Sequence, residues 1–296
     1  MFNVGARISG PLFMAGLSIW LVWNLSACAV SGQAGAVNPV QVETPAPAAG
    51  SEAVQAPAEA KTAEPLSRQM LFDVLLAEIA GQRGRLDVSV PHYLQAALES
   101  SDPRVAERAI QIASYAKNYP AALRAARHWV SLEENNLDAR KIVAALALQT
   151  GDIDEVVDQL DFIVSRSETQ EQGFAVATAI LSRHGEGEQA LQAMQALAGR
   201  YPESADAQLA VGRLAAVKGQ LELAMTATDA ALALQPGMQR AQILKAQVLI
   251  RQERKAEALE VLGQAVESSP EHAELRFAYG RLLLDAGDLE GAKEQF

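Results

Sequence analysis

Across 296 residues there is one cysteine, Cys28. A lone thiol closes no intramolecular bridge, so neither a disulfide framework nor dithiol redox chemistry is open to the chain. Aromatic residues make up only 5%, so any core must be built from alanine and aliphatic side chains. Positive charge is scarce as well: 25 Lys and Arg stand against 36 Asp and Glu, a net charge of −11. Nucleic acid demands a basic stripe, and an acidic balance of this size argues against it. The uncharged apolar run at the start, PLFMAGLSIWLVW (residues 11–23), is shorter than the ~20 residues that span a bilayer as a helix.

That run does fit the apolar region of a secretory signal, with Arg7 as the only basic side chain before it. Small residues, Ser26 and Ala27, lead directly to Cys28. Leu25-Ser26-Ala27-Cys28 resembles the bacterial lipobox, which implies that the thiol is acylated and the chain is cut just before it. An ordinary signal peptide with a chance cysteine, or an uncleaved anchor, are the alternatives. Three acyl chains would anchor the protein stably, at ~0.8 kcal/mol per buried CH₂. By the same resemblance, Ala29 after the cysteine favours sorting to the outer membrane, with the protein on its periplasmic face in a Gram-negative cell. Residues 1–27 then leave with the signal and take only the charge of Arg7, so the mature chain carries −11 − 1 = −12.

Residues 28–67 change character. The stretch after Cys28 is Ala, Pro, Gly, Val, Gln and a few Glu, with no aromatic and no amphipathic period. Such a composition does not bury enough apolar surface to offset its ordering entropy, and it reads as a disordered tether reaching roughly 35 Å.

From residue 68 to 296 the sequence repeats itself. Pro202, Pro236 and Pro270 are spaced by 34 residues and 34 again. Counting from Ala205 in steps of 34, position 8 is Gly212, Ala246 and Gly280, and position 20 is Ala224, Ala258 and Ala292. Position 27 is Ala231 and Ala265. Upstream, Phe174, Ala190 and Pro202 keep the register, as do Ala144 and Gly151, then Ala122. Val156 and Ile110 are larger than the pattern asks. Units therefore begin near 70, 103, 137, 171, 205, 239 and 273, the first needing a one-residue shift. This spacing resembles the tetratricopeptide repeat. The resemblance implies an all-α right-handed superhelical solenoid of about seven helix-turn-helix units. Small residues at 8 and 20 let the two helices of a unit cross closely, and proline at 32 ends the second one. The last unit stops at its position 24, Phe296, where a capping helix is expected. The sequence therefore reads as a piece of a longer protein.

Nothing in the body reads as an active site, so no enzyme activity, metal or cofactor is expected. The histidines, His92, His128, His184 and His272, fall in four different units, away from any carboxylate or cysteine at ligand spacing, and read as solvated surface. Gly81, Gly84, Gly151, Gly185, Gly187, Gly219 and Gly287 read as turns between helices rather than a phosphate cradle, because no strand precedes them. Glu133-Glu134 and Asp152-Asp154-Glu155 read as solvated helix ends.

The tetratricopeptide resemblance implies instead a concave groove lined by positions 2, 5, 9, 12 and 13 of each leading helix. Here those positions supply Arg104, Glu107, Gln111, Lys141, Arg183, Arg213, Gln247, Arg251, Phe277 and Arg281. The binding candidates are Lys141, Arg183, Arg213, Gln247, Arg251, Phe277 and Arg281. Guanidinium forks suit carboxylates of an acidic peptide, although long side chains that merely solvate the groove would give the same pattern. The asparagines of the family's chaperone-tail clamp are absent from their positions.

LLAEIAGQRG and DPRVAERA, within residues 75–116, carry a closer likeness. They resemble the opening of outer-membrane tetratricopeptide lipoproteins, one of which is the adaptor of a periplasmic carboxyl-terminal processing protease. That resemblance implies an adaptor presenting cell-wall hydrolases to the protease. A scaffold for another envelope machine (secretin, pilus, polysaccharide export or cell-wall synthesis) is the alternative.

Overall fold

A computed structural model describes residues 67–185 and 187–296. The expected signal, Cys28 and nearly all of the expected tether lie outside them. Among the described residues there are fourteen helices and no strand. They pair as α1 (Arg68–Gln82) with α2 (Leu86–Glu99), α3 (Pro103–Tyr115) with α4 (Tyr119–Leu132), and α5 (Leu137–Thr150) with α6 (Ile153–Arg166). Next come α7 (Gln170–His184) with α8 (Gly187–Gly199) and α9 (Ala205–Val217) with α10 (Leu221–Leu234). The last pairs are α11 (Gln239–Arg251) with α12 (Lys255–Ser268) and α13 (Ala273–Ala286) with α14 (Leu289–Gln295). None of these helices is long and apolar enough to cross a membrane.

Local chemistry sets the helix starts. Ser67, Asp102, Asn118, Asn136, Asp152, Thr169 and Ser204 each accept a hydrogen bond from a backbone N–H in the first turn that follows, which satisfies donors the helix itself leaves orphaned. Pro103 occupies the first turn of α3, where its missing N–H costs nothing. Six of the seven hairpin turns among the described residues need a left-handed residue at position 15, the exception being Gly185 between α7 and α8 (φ −92°). Gly84, Gly151, Gly219 and Gly287 are left-handed there, with φ between 71° and 85°. Lys117 (φ 56°) and Glu253 (φ 64°) adopt the same conformation against their side-chain sterics. Two glycines read as turns are not: Gly81 lies inside α1, where a Cβ would sit 3.2 Å from Ser89 Oγ, and Gly187 opens α8.

Each leading helix from α3 onward packs against its own partner and against the second helix of the preceding hairpin. The small positions make this possible. Ala122, Val156, Ala190, Ala224, Ala258 and Ala292, all at position 20, are fully buried. Gly212 shows how close the helices come, since a Cβ there would lie 2.8 Å from Thr228 Oγ1 of its own hairpin. Alanine and leucine dominate the buried set, as the shortage of aromatics requires. One hydrophobic cluster runs from α1 into α11, and a second joins α11, α12 and α13.

Candidate partner-binding groove

The helical period puts positions 240, 243, 247, 250 and 251 on one face of α11, and 274, 277, 281 and 285 on one face of α13. These two faces enclose a groove of about 860 Å³. Its walls carry Gln247, Arg251, Glu274, Phe277, Arg281 and Asp285, and its apolar floor includes Ile243, Ile250, Leu262 and Leu282. A second cavity of about 500 Å³ adjoins it toward α9 and shares Ile243, Gln247, Arg251 and Glu274. Arg213, Arg240 and Thr178 complete that part.

Four arginines and two carboxylates line the two cavities together, the larger groove holding two of each, Arg251 and Arg281 with Glu274 and Asp285. The arginines differ in how far they are already satisfied. Arg240 is held at 2.5 Å by Glu171 of α7 and at 3.0 Å by Asp206 of α9. Arg251 donates one hydrogen bond from Nη1 to the Ala216 carbonyl oxygen and keeps the rest of its fork at the surface. Arg213 is half-buried. Burial, and then the neighbouring Arg240, hold its guanidinium below the usual arginine value, while Glu171, Asp206 and Glu274 pull the other way. A carboxylate brought beside Arg213 would therefore meet a cation poorly compensated by solvent. Phe277 is 58% exposed on the opposite wall, a large apolar surface for a side chain to rest on.

Five of the seven candidates from the sequence, Arg213, Gln247, Arg251, Phe277 and Arg281, thus face two adjoining cavities. Lys141 and Arg183 line neither. Lys141 Nζ is 2.9 Å from Asp138 one turn away on α5, and Arg183 is exposed in the last turn of α7. Arg104, expected on the same face of α3, is paired with its own N-cap, Asp102. The groove also contains Arg240, Ile243, Ile250, Glu274 and Asp285, which the reading for cationic positions passed over. They occupy positions 2, 5, 12 and 13, so the same periodicity reaches them.

The histidines are less solvated than their sequence context suggests. His92 Nδ1 lies 2.7 Å from the carboxylate of Asp73, which is 2% exposed and also accepts from Gln69 Nε2. Hydrogen bonds from His92 and Gln69 hold the Asp73 carboxyl below its usual value. The two are 19 residues apart and meet only because α1 and α2 fold back on each other. His128 Nε2 is 2.9 Å from the Ser100 carbonyl oxygen, and His272 Nδ1 accepts from the Leu275 N–H as the cap of α13. Only His184 is exposed; burial of part of its ring, and then Arg183, push it below the ordinary histidine value. Among the described residues no three His, Cys, Asp or Glu side chains are placed to hold a metal ion.

The tetratricopeptide-repeat family model matches residues 180–238 and 243–296, which include every residue lining the larger groove. Those residues therefore carry tetratricopeptide repeats, and the described residues as a whole fold into stacked helical hairpins. It is 26% identical over 227 residues to a TPR repeat-containing protein of Pseudomonas aeruginosa. That match takes in 77% of this chain and 38% of the relative, so the chain spans about two-fifths of the relative's length. Two solved structures are similar in shape. A tetratricopeptide repeat protein from Parabacteroides merdae has 12% identity and a TM-score of 0.39, covering 77% of this chain and 91% of that one. A TPR protein of Thermus thermophilus has 21% identity and a TM-score of 0.32, covering 73% and 99%. Tetratricopeptide repeats serve as protein-binding scaffolds, and the family indicates no catalytic activity.

Proposed function

We propose that this chain is a lipid-anchored envelope adaptor whose groove between α11 and α13 grips an extended client segment carrying both carboxylates and apolar side chains. The observation that carries the reading is the setting of Arg213, Arg251 and Arg281 beside the apolar floor of two adjoining cavities, with Arg213 half-buried. Guanidinium forks beside an apolar floor suit carboxylate-bearing peptides. The anchor is proposed at Cys28, on the strength of Leu25-Ser26-Ala27-Cys28 after an apolar run. The finer reading, in which the client is a cell-wall hydrolase handed to a carboxyl-terminal processing protease, is supported by the likeness of LLAEIAGQRG and DPRVAERA to the opening of such adaptors.

Purification of the crosslinked full-length protein from solubilised envelopes, with mass spectrometry of its companions, tests both levels. A processing protease together with hydrolases is the expected result. Secretion, pilus or polysaccharide-export components would replace the protease reading with that of a scaffold for another machine. The Arg213→Glu, Arg251→Glu double variant should recover its client at least about tenfold less well, given ~1.4 kcal/mol per decade, with unchanged helicity. Undiminished capture by a folded double variant would move the client to another surface.

A further inference from the structure

The first helix is apolar on two opposite faces. Met70, Ala77 and Ala80, together with Asp73, are buried on the side that meets α2. Leu71, Phe72, Leu75 and Ile79 are 47%, 55%, 53% and 47% exposed on the other. A helix apolar all round is ordinarily enclosed. The repeat itself shows what encloses this face elsewhere. Counted from 70, Phe72, Leu75 and Ile79 are positions 3, 6 and 10. The same positions are Ala207, Ala210 and Leu214 in α9 and Ala241, Leu244 and Val248 in α11, all buried. In α7 position 3 is Gly173, where a Cβ would lie 2.7 Å from the Val164 Cα of α6, the second helix of the preceding hairpin. Positions 3, 6 and 10 are therefore the seat of a preceding helix. Among the described residues, α1 is the one leading helix whose seat holds none.

We infer that the outer face of α1 is a docking seat for an amphipathic helix of a partner protein, with acidic residues at both ends of its apolar stripe. Charge selects this occupant. Arg68 and Arg83 are exposed at the two ends of the stripe, at i and i+15 with Phe72, Leu75 and Ile79 between them. A second copy of this chain related by a two-fold axis would set Arg68 against Arg68 or against Arg83, like charge on like charge in either direction. A flat anionic lipid surface would meet, beyond the stripe, a body of net −11. A helix some 10 Å across meets the stripe alone.

The test replaces Leu75 with p-benzoylphenylalanine in the full-length protein, irradiates the cells that make it, and maps the crosslinked residue. The expected product joins Leu75 to a helix of a different protein flanked by Asp or Glu. Its yield should fall about tenfold in Arg68→Glu, Arg83→Glu, with helicity retained, and should return when the partner's flanking carboxylates are changed to arginine. Crosslinks confined to lipid, to another copy of this chain or to its own residues 1–66 would overturn the inference. So would the absence of any crosslink, or a yield indifferent to the charge reversal.

Discussion

Gly173 offers the sharpest test of how the hairpins are spaced. It sits in the first turn of α7, with its Cα facing α6. Replacing it with alanine would gain up to ~1 kcal/mol of helix propensity, since glycine is the poorer helix former. Against this, the new methyl carbon would stand 2.7 Å from Val164 Cα and 3.1 Å from Ser167 Oγ. An ordinary carbon contact is about 3.5–4.0 Å, so the two hairpins must separate by about 1 Å. The obstacle is backbone, which has no rotamer by which to withdraw. Overpacking of this kind costs ~1–3 kcal/mol, and an obstacle of backbone puts the cost in the upper half of that range, leaving Gly173→Ala less stable by about 1–2 kcal/mol. Gly199→Ala is the control: nothing lies within 4 Å of a Cβ there, and it should be neutral or gain up to ~1 kcal/mol. Urea unfolding followed by helical circular dichroism reports the difference, and amide exchange locates it. A solenoid's stability is a sum over neighbouring units, so exchange should quicken about tenfold in α6 and α7 and much less in α11 to α13. A Gly173→Ala protein that unfolds at the same urea concentration as the parent, or a higher one, would refute the close approach.

Three further outcomes are expected. The depressed Asp73 carboxyl means that the native state releases this proton at a pH where the unfolded chain still holds it. Its contribution is therefore complete above about pH 4, the unfolded carboxyl value, and is lost as pH falls below that through the folded value; Asp73→Asn should flatten that acid limb in a pH series of urea midpoints. Tyr201 donates to Asp161 at 2.7 Å, and burial first, then that carboxylate, push its hydroxyl up to about 12. Ultraviolet titration should thus find Tyr201 among the tyrosines ionising above the usual ~10, and Asp161→Asn should bring it down. Cys28→Ser should accumulate as an unlipidated precursor; a variant that still fractionates as mature outer-membrane protein would end the lipobox reading.

Much of the fold was legible because the repeat is enforced by steric necessity. Two helices cross closely only where side chains are small, so Ala122, Ala190, Ala224, Ala258 and Ala292 recur at one position and all are buried. The leading helices α3, α5, α9, α11 and α13 begin at residues 103, 137, 205, 239 and 273. The groove was legible only in part. Position within a repeat fixes the direction a side chain points, but not whether neighbouring units leave space before it. Lys141 and Arg281 both sit on the concave register; a carboxylate three residues away occupies Lys141, whereas Arg281 faces the larger cavity. Selecting for cations also hid Ile243 and Ile250, which give the floor its apolar character. The Asp73–His92 pair had no local signal, since hydrogen bonding across a hairpin has no fixed spacing in sequence. The two-sided apolarity of α1, by contrast, was present in LFDVLLAEIA and needed only the knowledge of which side α2 would take.

The guanidinium of Arg240 has a mechanical consequence. By gripping Glu171 and Asp206 it ties together three successive turns of the solenoid, α7, α9 and α11, along the wall of the smaller cavity. Apolar stacking sets how far apart neighbouring turns rest; this clasp resists their being prised open. Its strength is ionic and only partly shielded from water, so it weakens as salt rises. The coil is then a spring whose stiffness follows ionic strength, and a client wedged between Arg213 and Arg251 would be held more loosely in concentrated salt even where its own contacts are apolar.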